Sequence, residues 1–256
     1  MMREEDTLLK KRLLELARQC EYKNIPVFSH FLNLNEQTVF HGLRTELPPV
    51  QVILEGGYEA AERKIVCFLP VTDHVDGYLS SILPVTAVWV RPKAPKFSGD
   101  CAHRDYLGAV LNLGLDRNQI GDILLEGQEA WILCREQIAP FIIDQLTQVR
   151  RNAVVCQAVP LMQLQYTPRY KEVSGSIASL RLDSLVSLAF GLSRSKAAEC
   201  VKEERVFVNG KLTVSSAYEP AEGALISVRK LGKFRYKGFV NKTKKGRSYV
   251  ALEVFV

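Results

Sequence analysis

The sequence is poor in the residues that build covalent or metal frameworks. Its six cysteines (Cys20, Cys67, Cys101, Cys134, Cys156 and Cys200) are scattered over 256 residues, without a Cys-x-x-Cys pair or a histidine at ligand spacing. That scatter excludes a disulfide scaffold or a zinc ribbon and predicts reduced, mostly buried thiols and no bound metal. No run of about 18 apolar residues occurs, so a membrane-spanning helix is not expected. The first twenty residues mix charges of both signs and lack the apolar core of a signal peptide, which predicts an intracellular, cytoplasmic protein.

What is present is an uneven distribution of charge. Residues 181–256 hold 15 Lys and Arg against 7 Asp and Glu, while residues 1–180 hold 19 against 21, so the net charge of +6 belongs to the last third. A basic excess confined to one region is the footprint of a surface that neutralises phosphates and releases their counterions. A chain of 256 residues that is 47% apolar supports two or three compact cores. We expect an α+β protein with a small N-terminal α/β unit (residues 1–84), a ferredoxin-like middle domain with the topology of RNA-recognition domains (85–167) and a C-terminal RNA-binding domain (178–256).

Leu9, Leu13, Leu16, Ala17 and Cys20 recur at helical spacing and predict an amphipathic first helix. A second helix is expected over 36–43, capped by Asn33 or Asn35. Strands are expected over 50–54 and 65–69, with a short charged helix at 60–63 between them. From residue 85 the apolar pattern reads strand 85–90, helix 104–113, strands 120–125 and 130–134, helix 138–149 and strand 153–159. This β-α-β-β-α-β order is that of a ferredoxin-like sandwich. Trp131 alone stands where RNA-recognition domains place base-stacking aromatics, which favours a structural or protein-contacting sheet. Residues 168–179, with Gly175 among serines, read as a linker.

In the basic region an apolar helix over 182–190 stops at Gly191, and Ser193 caps the next helix. A helix start presents backbone N–H groups and a positive dipole end to a phosphate, and Arg194 and Lys196 add charge there. Lys202 and Arg205 lie near the arc of Arg194 but share it with apolar residues, so helical periodicity alone does not prove one continuous basic face. Asn209-Gly210 suits a tight hairpin turn beside Lys211. Lys233, Arg235 and Lys237 alternate with Phe234 and Tyr236, which puts cations on one face of a strand and core aromatics on the other. Lys242, Lys244, Lys245 and Arg247 precede a last apolar strand over 249–256 and are phosphate contacts or a solvated loop.

Arg181-Leu182-Asp183, Ser193-Arg194-Ser195-Lys196-Ala197, Val208-Asn209-Gly210 and the stretch 223–229 together resemble the S4-type RNA-binding domain over about 75 residues. Further upstream, Gly56-Gly57-Tyr58-Glu59-Ala60-Ala61-Glu62-Arg63, His103-Arg104-Asp105-Tyr106-Leu107-Gly108-Ala109, Gly114-Leu115-Asp116-Arg117 and Ile120-Gly121-Asp122-Ile123 resemble motifs of the YlmH family of bacterial S4-domain proteins. With Thr243-Lys244-Lys245-Gly246-Arg247 the likeness spans nearly the whole chain. It implies a noncatalytic factor that binds large-subunit ribosomal RNA and tRNA on the ribosome, near peptidyl-tRNA, in quality control of stalled nascent chains. The RNA contacts expected are Arg181, Ser193, Arg194, Ser195, Lys196, Lys202, Arg205, Asn209, Lys211, Arg229, Lys233, Arg235, Lys244, Lys245 and Arg247. His103, Arg104 and Arg117 are candidates for a partner or second RNA contact. No cofactor is expected, and a monomer is.

Enzyme readings compete less well. Arg-Leu-Asp also surrounds the catalytic aspartate of pseudouridine synthases, so an RNA-modifying enzyme is the alternative, but here Asp183 lies inside the basic module and reads as a helix-start residue. His103-Arg104-Asp105 lacks the asparagine five positions on that a kinase catalytic loop needs, since residue 110 is Val, and no glycine-rich phosphate loop precedes it. Gly121-Asp122-Ile123 lacks the glycine spacing of a nucleotide-binding turn. Capping a helix or contacting a partner both remain open for His103, Arg104 and Asp105.

Overall fold

A computed structural model describes residues 4–72, 79–164, 166, 168–242 and 246–255. The chain divides into two compact units, residues 1–166 and 167–256. In chain order the first unit contains α1 (Glu4–Lys23), β1 (Val27–Phe28), α2 (Leu34–His41), β2 (Gln51–Glu55), β3 (Ile65–Leu69), α3 (Leu79–Ile82), β4 (Val85–Pro92), α4 (His103–Leu111), β5 (Ile120–Glu126), β6 (Glu129–Arg135), α5 (Ala139–Gln145), β7 (Gln148–Val149) and β8 (Asn152–Val159).

Two sheets build this unit, in the orders β1-β3-β2 and β5-β6-β4-β8-β7. The apolar stripe of α1 (Leu13, Leu16, Ala17, Cys20) packs with Phe40, Leu43, Val66 and Phe68 on one face of β3. Asn33 caps α2, accepting a hydrogen bond from the Glu36 amide at 3.0 Å while the Glu36 carboxylate takes the Asn33 amide. The opposite face of β3 (Ile65, Cys67, Leu69) packs with Phe31, which follows β1, and with Val85, Leu124 and Leu133 of the second sheet. A strand covered on both faces must be apolar at every position, and β3 is buried throughout. The second sheet follows the ferredoxin-like order with β7 added at its edge, and α4 and α5 cover its inner face through Tyr106, Val110 and Ile142. We propose the expected boundary at residues 84/85 as a division between sheets that share one core layer.

The charged helix expected at 60–63 does not form; that stretch is an irregular loop. A polar clamp holds it instead. The Asp122 carboxylate accepts hydrogen bonds from the Tyr58 hydroxyl (2.9 Å) and from the amides of Glu62 (2.7 Å) and Arg63 (3.2 Å). Arg63 donates to the carbonyls of Ile120 (2.9 Å), Phe31 (3.1 Å) and Arg117 (3.2 Å). The backbone must come this close: a Cβ on Gly56 would lie 2.4 Å from the Ala61 Cβ, and one on Gly121 would lie 2.8 Å from the Phe31 ring. Burial, then the Asp122 carboxylate, pushes the Tyr58 phenol far above its ordinary range.

The second unit contains β9 (Tyr170–Ile177), α6 (Leu182–Phe190), α7 (Arg194–Lys202), β10 (Val206–Val208), β11 (Lys211–Leu212), β12 (Leu225–Val228), β13 (Gly232–Lys242) and β14 (Ser248–Phe255). Its sheet runs β11-β10-β12-β13-β14-β9. The linker expected over 168–179 is largely a strand: β9 pairs along all of β14, with Val173 and Ile177 turned to the core. Gly175 is there for closeness, since a Cβ would lie 2.6 Å from Leu188 of α6. Leu182, Leu185, Val186, Ala197 and Val201 of the helices pack with Val206, Ile226, Phe234, Tyr236 and Val250 of the sheet.

Asp122→Ala leaves two loop amides without their acceptor and is expected to cost about 3 kcal/mol. Urea unfolding followed by tryptophan emission measures it, because Trp89 and Trp131, the two tryptophans of the chain, both lie in the first unit. A loss under about 1 kcal/mol would mean that Arg63 holds the loop alone.

Candidate nucleic-acid interface

In the second unit α6 begins at Arg181, whose backbone is extended, and its first amides are already taken. Leu182 donates to the Tyr218 carbonyl at 2.8 Å and Asp183 to the Ser216 carbonyl at 3.4 Å. The loop before β12 therefore closes this helix start. Gly191 ends the helix in the left-handed conformation at φ 63°, where a side chain would be strained. Ser193 then caps α7, accepting from the Lys196 amide at 3.3 Å.

The Asp183 carboxylate, 4% exposed, joins the two helix starts. It accepts two hydrogen bonds from the Arg181 guanidinium, Nε at 3.2 Å and Nη2 at 2.9 Å, and one from the Ser184 hydroxyl at 3.4 Å. The Arg194 Nη2 lies 3.9 Å from the same carboxylate, yet the Arg194 side chain is 57% exposed. A buried carboxylate without such donors would be costly. Asp183 thus gathers one arginine from each helix start and leaves Arg194 facing solvent. Ser193, Ser195 and Lys196 are exposed beside it, and Ala197, Cys200 and Val201 form the buried side of α7. Lys202 is exposed in the last turn, where a cation suits the helix dipole.

Two of the expected contacts are engaged inside the fold. Arg205 donates to the Glu203 carboxylate and to the Arg229 carbonyl, both at 3.0 Å, and ties the end of α7 to the end of β12. Asn209 takes φ 48° in the hairpin turn and accepts from the Leu225 amide at 2.9 Å, so its side chain serves the turn. Lys211 follows it, exposed.

On the sheet, Phe234 and Tyr236 are buried and Lys233, Arg235 and Lys237 face the other way, as the alternation predicts. The sequence did not show what they meet there. The Lys233 ammonium lies 4.9 Å and the Arg235 guanidinium 6.0 Å from the Phe255 ring centre, and Arg229 lies 4.9 Å over Phe207. Only strand register brings these rings and cations together. Lys237 pairs with Glu253 at 3.0 Å, and Arg247 donates to the Ser176 carbonyl at 3.0 Å. Lys244 and Lys245 lie outside the described residues.

In the first unit, Arg117 turns inward and donates to the carbonyls of Ile120 (2.6 Å) and Gly121 (3.0 Å). Burial, then the nearby Arg63 cation, lowers its pKa to about 10. It is part of the clamp around Asp122 and not a surface contact. Asp105 caps α4 by accepting from the Ala102 amide at 2.8 Å and lies 3.6 Å from Arg150. His103 and Arg104 are exposed in the same turn, and Arg104 lines an open groove of about 520 Å³ with Gln145, Gln148 and Arg150. Among the described residues no cluster of His, Cys, Asp or Glu could hold a metal ion. The cysteines are free thiols, and burial pushes Cys67 and Cys134 up to about 12.

Comparison with known proteins bears out the likeness read from the sequence. Residues 93–163 match the family model described as "Putative RNA-binding domain in YlmH". Over 254 residues, 98% of this chain and 96% of the relative, the chain is 29% identical to the Bacillus subtilis (strain 168) protein named "Ribosome-associated protein quality control protein P2". The solved "Cell division protein ylmH from Streptococcus pneumoniae" superposes with a TM-score of 0.53 at 17% identity, covering 64% of this chain and 96% of that one, and so shares its fold.

Asp183→Asn removes the charge that holds Arg181 and Arg194, and is expected to cost about 2 kcal/mol while the chain still folds. Thermal melts read the loss. An unchanged melting temperature would show that the arginines keep their places without the carboxylate.

Proposed function

We propose that this chain, a member of the YlmH family, is a noncatalytic RNA-binding factor that works on the ribosome. The finer reading is that it binds ribosomal RNA of the large subunit together with tRNA, in quality control of stalled nascent chains. The observation that carries the RNA reading is the pair of helix starts around Asp183. Arg181 and Arg194 are gathered on one buried carboxylate, beside the exposed Ser193, Ser195 and Lys196, in the part of the chain that concentrates the positive charge. A capped helix start with oriented guanidinium groups suits phosphate oxygens. Lys202, Lys211, Arg229, Lys233 and Arg235 extend the basic surface, and Arg205, Asn209 and Arg247 support the backbone that carries it.

A nucleoside-modifying enzyme is the weaker reading. The aspartate it would need is buried, and hydrogen-bonded to Arg181 and Ser184, in contact with Arg194. That environment suits a residue that positions arginines rather than a nucleophile that must reach a base.

Arg194→Ala and Lys196→Ala are each expected to weaken binding of the full chain to structured ribosomal RNA without unfolding it. Each should flatten the slope of log K against log salt by roughly one unit. Filter binding across a salt series checks this, and unchanged slopes would move the RNA surface elsewhere. Mass spectrometry of RNA digested after incubation with the wild-type chain should show no new nucleoside; a modified base that depends on Asp183 would favour the enzyme.

A further inference from the structure

We propose that β8 is a self-pairing edge, through which two copies of this chain join as an antiparallel strand pair centred on Gln157. This replaces the monomer expected from the sequence and stands independently of the RNA reading.

The edge of a sheet offers unpaired backbone groups to any strand that meets it, and proteins blunt such edges by shortness, charge, proline or cover. Most edges of this chain are blunted. β1, β7 and β11 have two residues each, β2 ends on Glu55, β9 carries Lys171 and Glu172, and β5 carries Asp122, which holds a loop against it. β8 differs. It runs from Asn152 to Val159 without a charged side chain or a proline. On one side it pairs with β4 from Val154 to Val159, but on the other β7 reaches only Asn152 and Ala153. The Val154 amide still donates to the Thr147 carbonyl at 2.9 Å; beyond it, among the described residues, no strand pairs with 155–159 on that side.

Backbone direction sets the register of the pair. Alternate residues of an antiparallel strand bond to opposite sides. The Ala153 carbonyl accepts from Lys93 on the β4 side at 2.8 Å and the Val154 amide donates away from it, so Cys156 and Ala158 also point to the open side. A second copy running antiparallel can match Cys156 with its own Ala158, and Ala158 with its Cys156, each pair exchanging both hydrogen bonds. That register puts Gln157 opposite Gln157 on a two-fold axis and Val155 opposite Val159. The edge is complementary to itself: an amide both donates and accepts, and Val155, 37% exposed, is covered by another valine. Gln157 pairs across β4 with Trp89, whose ring lies 8° from parallel to that of Trp131 at 6.4 Å and donates to Glu129 at 2.8 Å, which fixes the sheet beside the axis. The nearest cations, Arg91 and Arg151, lie toward the start of β8, and antiparallel pairing sends the two starts to opposite ends. A neutral edge of this kind holds nothing for a phosphate and suits a second strand of the same character.

A strand pair this short covers little area, so the association is weak and depends on concentration. Sedimentation equilibrium of the nuclease-treated full chain over a wide concentration range should show the average mass rising from one chain toward two. Gln157 is exposed, and Gln157→Glu sets two carboxylates against each other on the axis without touching the core; this variant should stay at the mass of one chain throughout. Gln157→Cys reads the register, because residues directly opposed in a non-hydrogen-bonded pair lie within disulfide reach. With oxidised glutathione it should give a disulfide-linked dimer, whereas Val155→Cys should not, and neither should the unaltered chain through Cys156, whose thiol burial pushes up to about 11. A wild-type chain that keeps the mass of one chain, an association that Gln157→Glu leaves intact, or a cross-link through Val155→Cys or Cys156 as strong as that through Gln157→Cys would overturn the proposal.

Discussion

A carboxylate withdrawn from water must be answered by donors, and each unit is organised around one that is. In the first, Asp122 takes a hydroxyl and two amides, and Arg63 and Arg117 crossing beside it satisfy the carbonyls of Phe31, Arg117, Ile120 and Gly121. In the second, Asp183 takes two bonds from Arg181 and lies against Arg194. At Asp183 the donors cannot leave without stranding a buried charge, a cost of several kcal/mol. An irregular loop and a pair of helix starts thereby become as fixed as the elements that flank them.

The same rule sorts the cations. Arg63, Arg117, Arg135 and Arg205 spend their donors on backbone carbonyls of the protein, and they are parts of the scaffold. Arg194, Lys196, Lys202 and Lys211 keep exposed heads on elements whose other side is packed. Arg229, Lys233 and Arg235 form a third group that rests on aromatic rings, where a cation keeps its charge at the surface while its position is fixed. Net charge describes all three groups alike; only the hydrogen bonds and ring contacts separate them.

The likeness of these motifs to those of the YlmH family did not reveal their roles. Gly56 to Arg63, Arg117 and Gly121-Asp122 stand as three separate motifs along the chain, and they converge on one clamp. Their glycines permit contacts that any Cβ would prevent, and their charges meet one another or the backbone. Such a cluster, polar and half-buried, resembles a catalytic site by composition and is a structural joint by geometry.

Local pattern was legible where local physics decides. The helical spacing of α1, the capping residues Asn33 and Ser193, the β-α-β-β-α-β order, the Asn209-Gly210 turn and the alternation on β13 each depend on a few neighbouring residues, and each formed as expected. The concentration of positive charge was also plain, because charge needs no fold to be counted. What failed were stretches whose state is set from a distance. Residues 170–177 look like a linker until β14 supplies a full row of hydrogen-bond partners, and residues 60–63 look helical until Asp122 takes their amides. The sequence by itself determined the helices and strands whose signals are local and which region carries the charge, since propensity, capping and periodicity act over a few residues. Tertiary structure alone decided which arginines are scaffold and which face solvent, and that Trp89 meets Trp131, because those pairings depend on strand register and on the burial of single carboxylates between segments far apart in the chain.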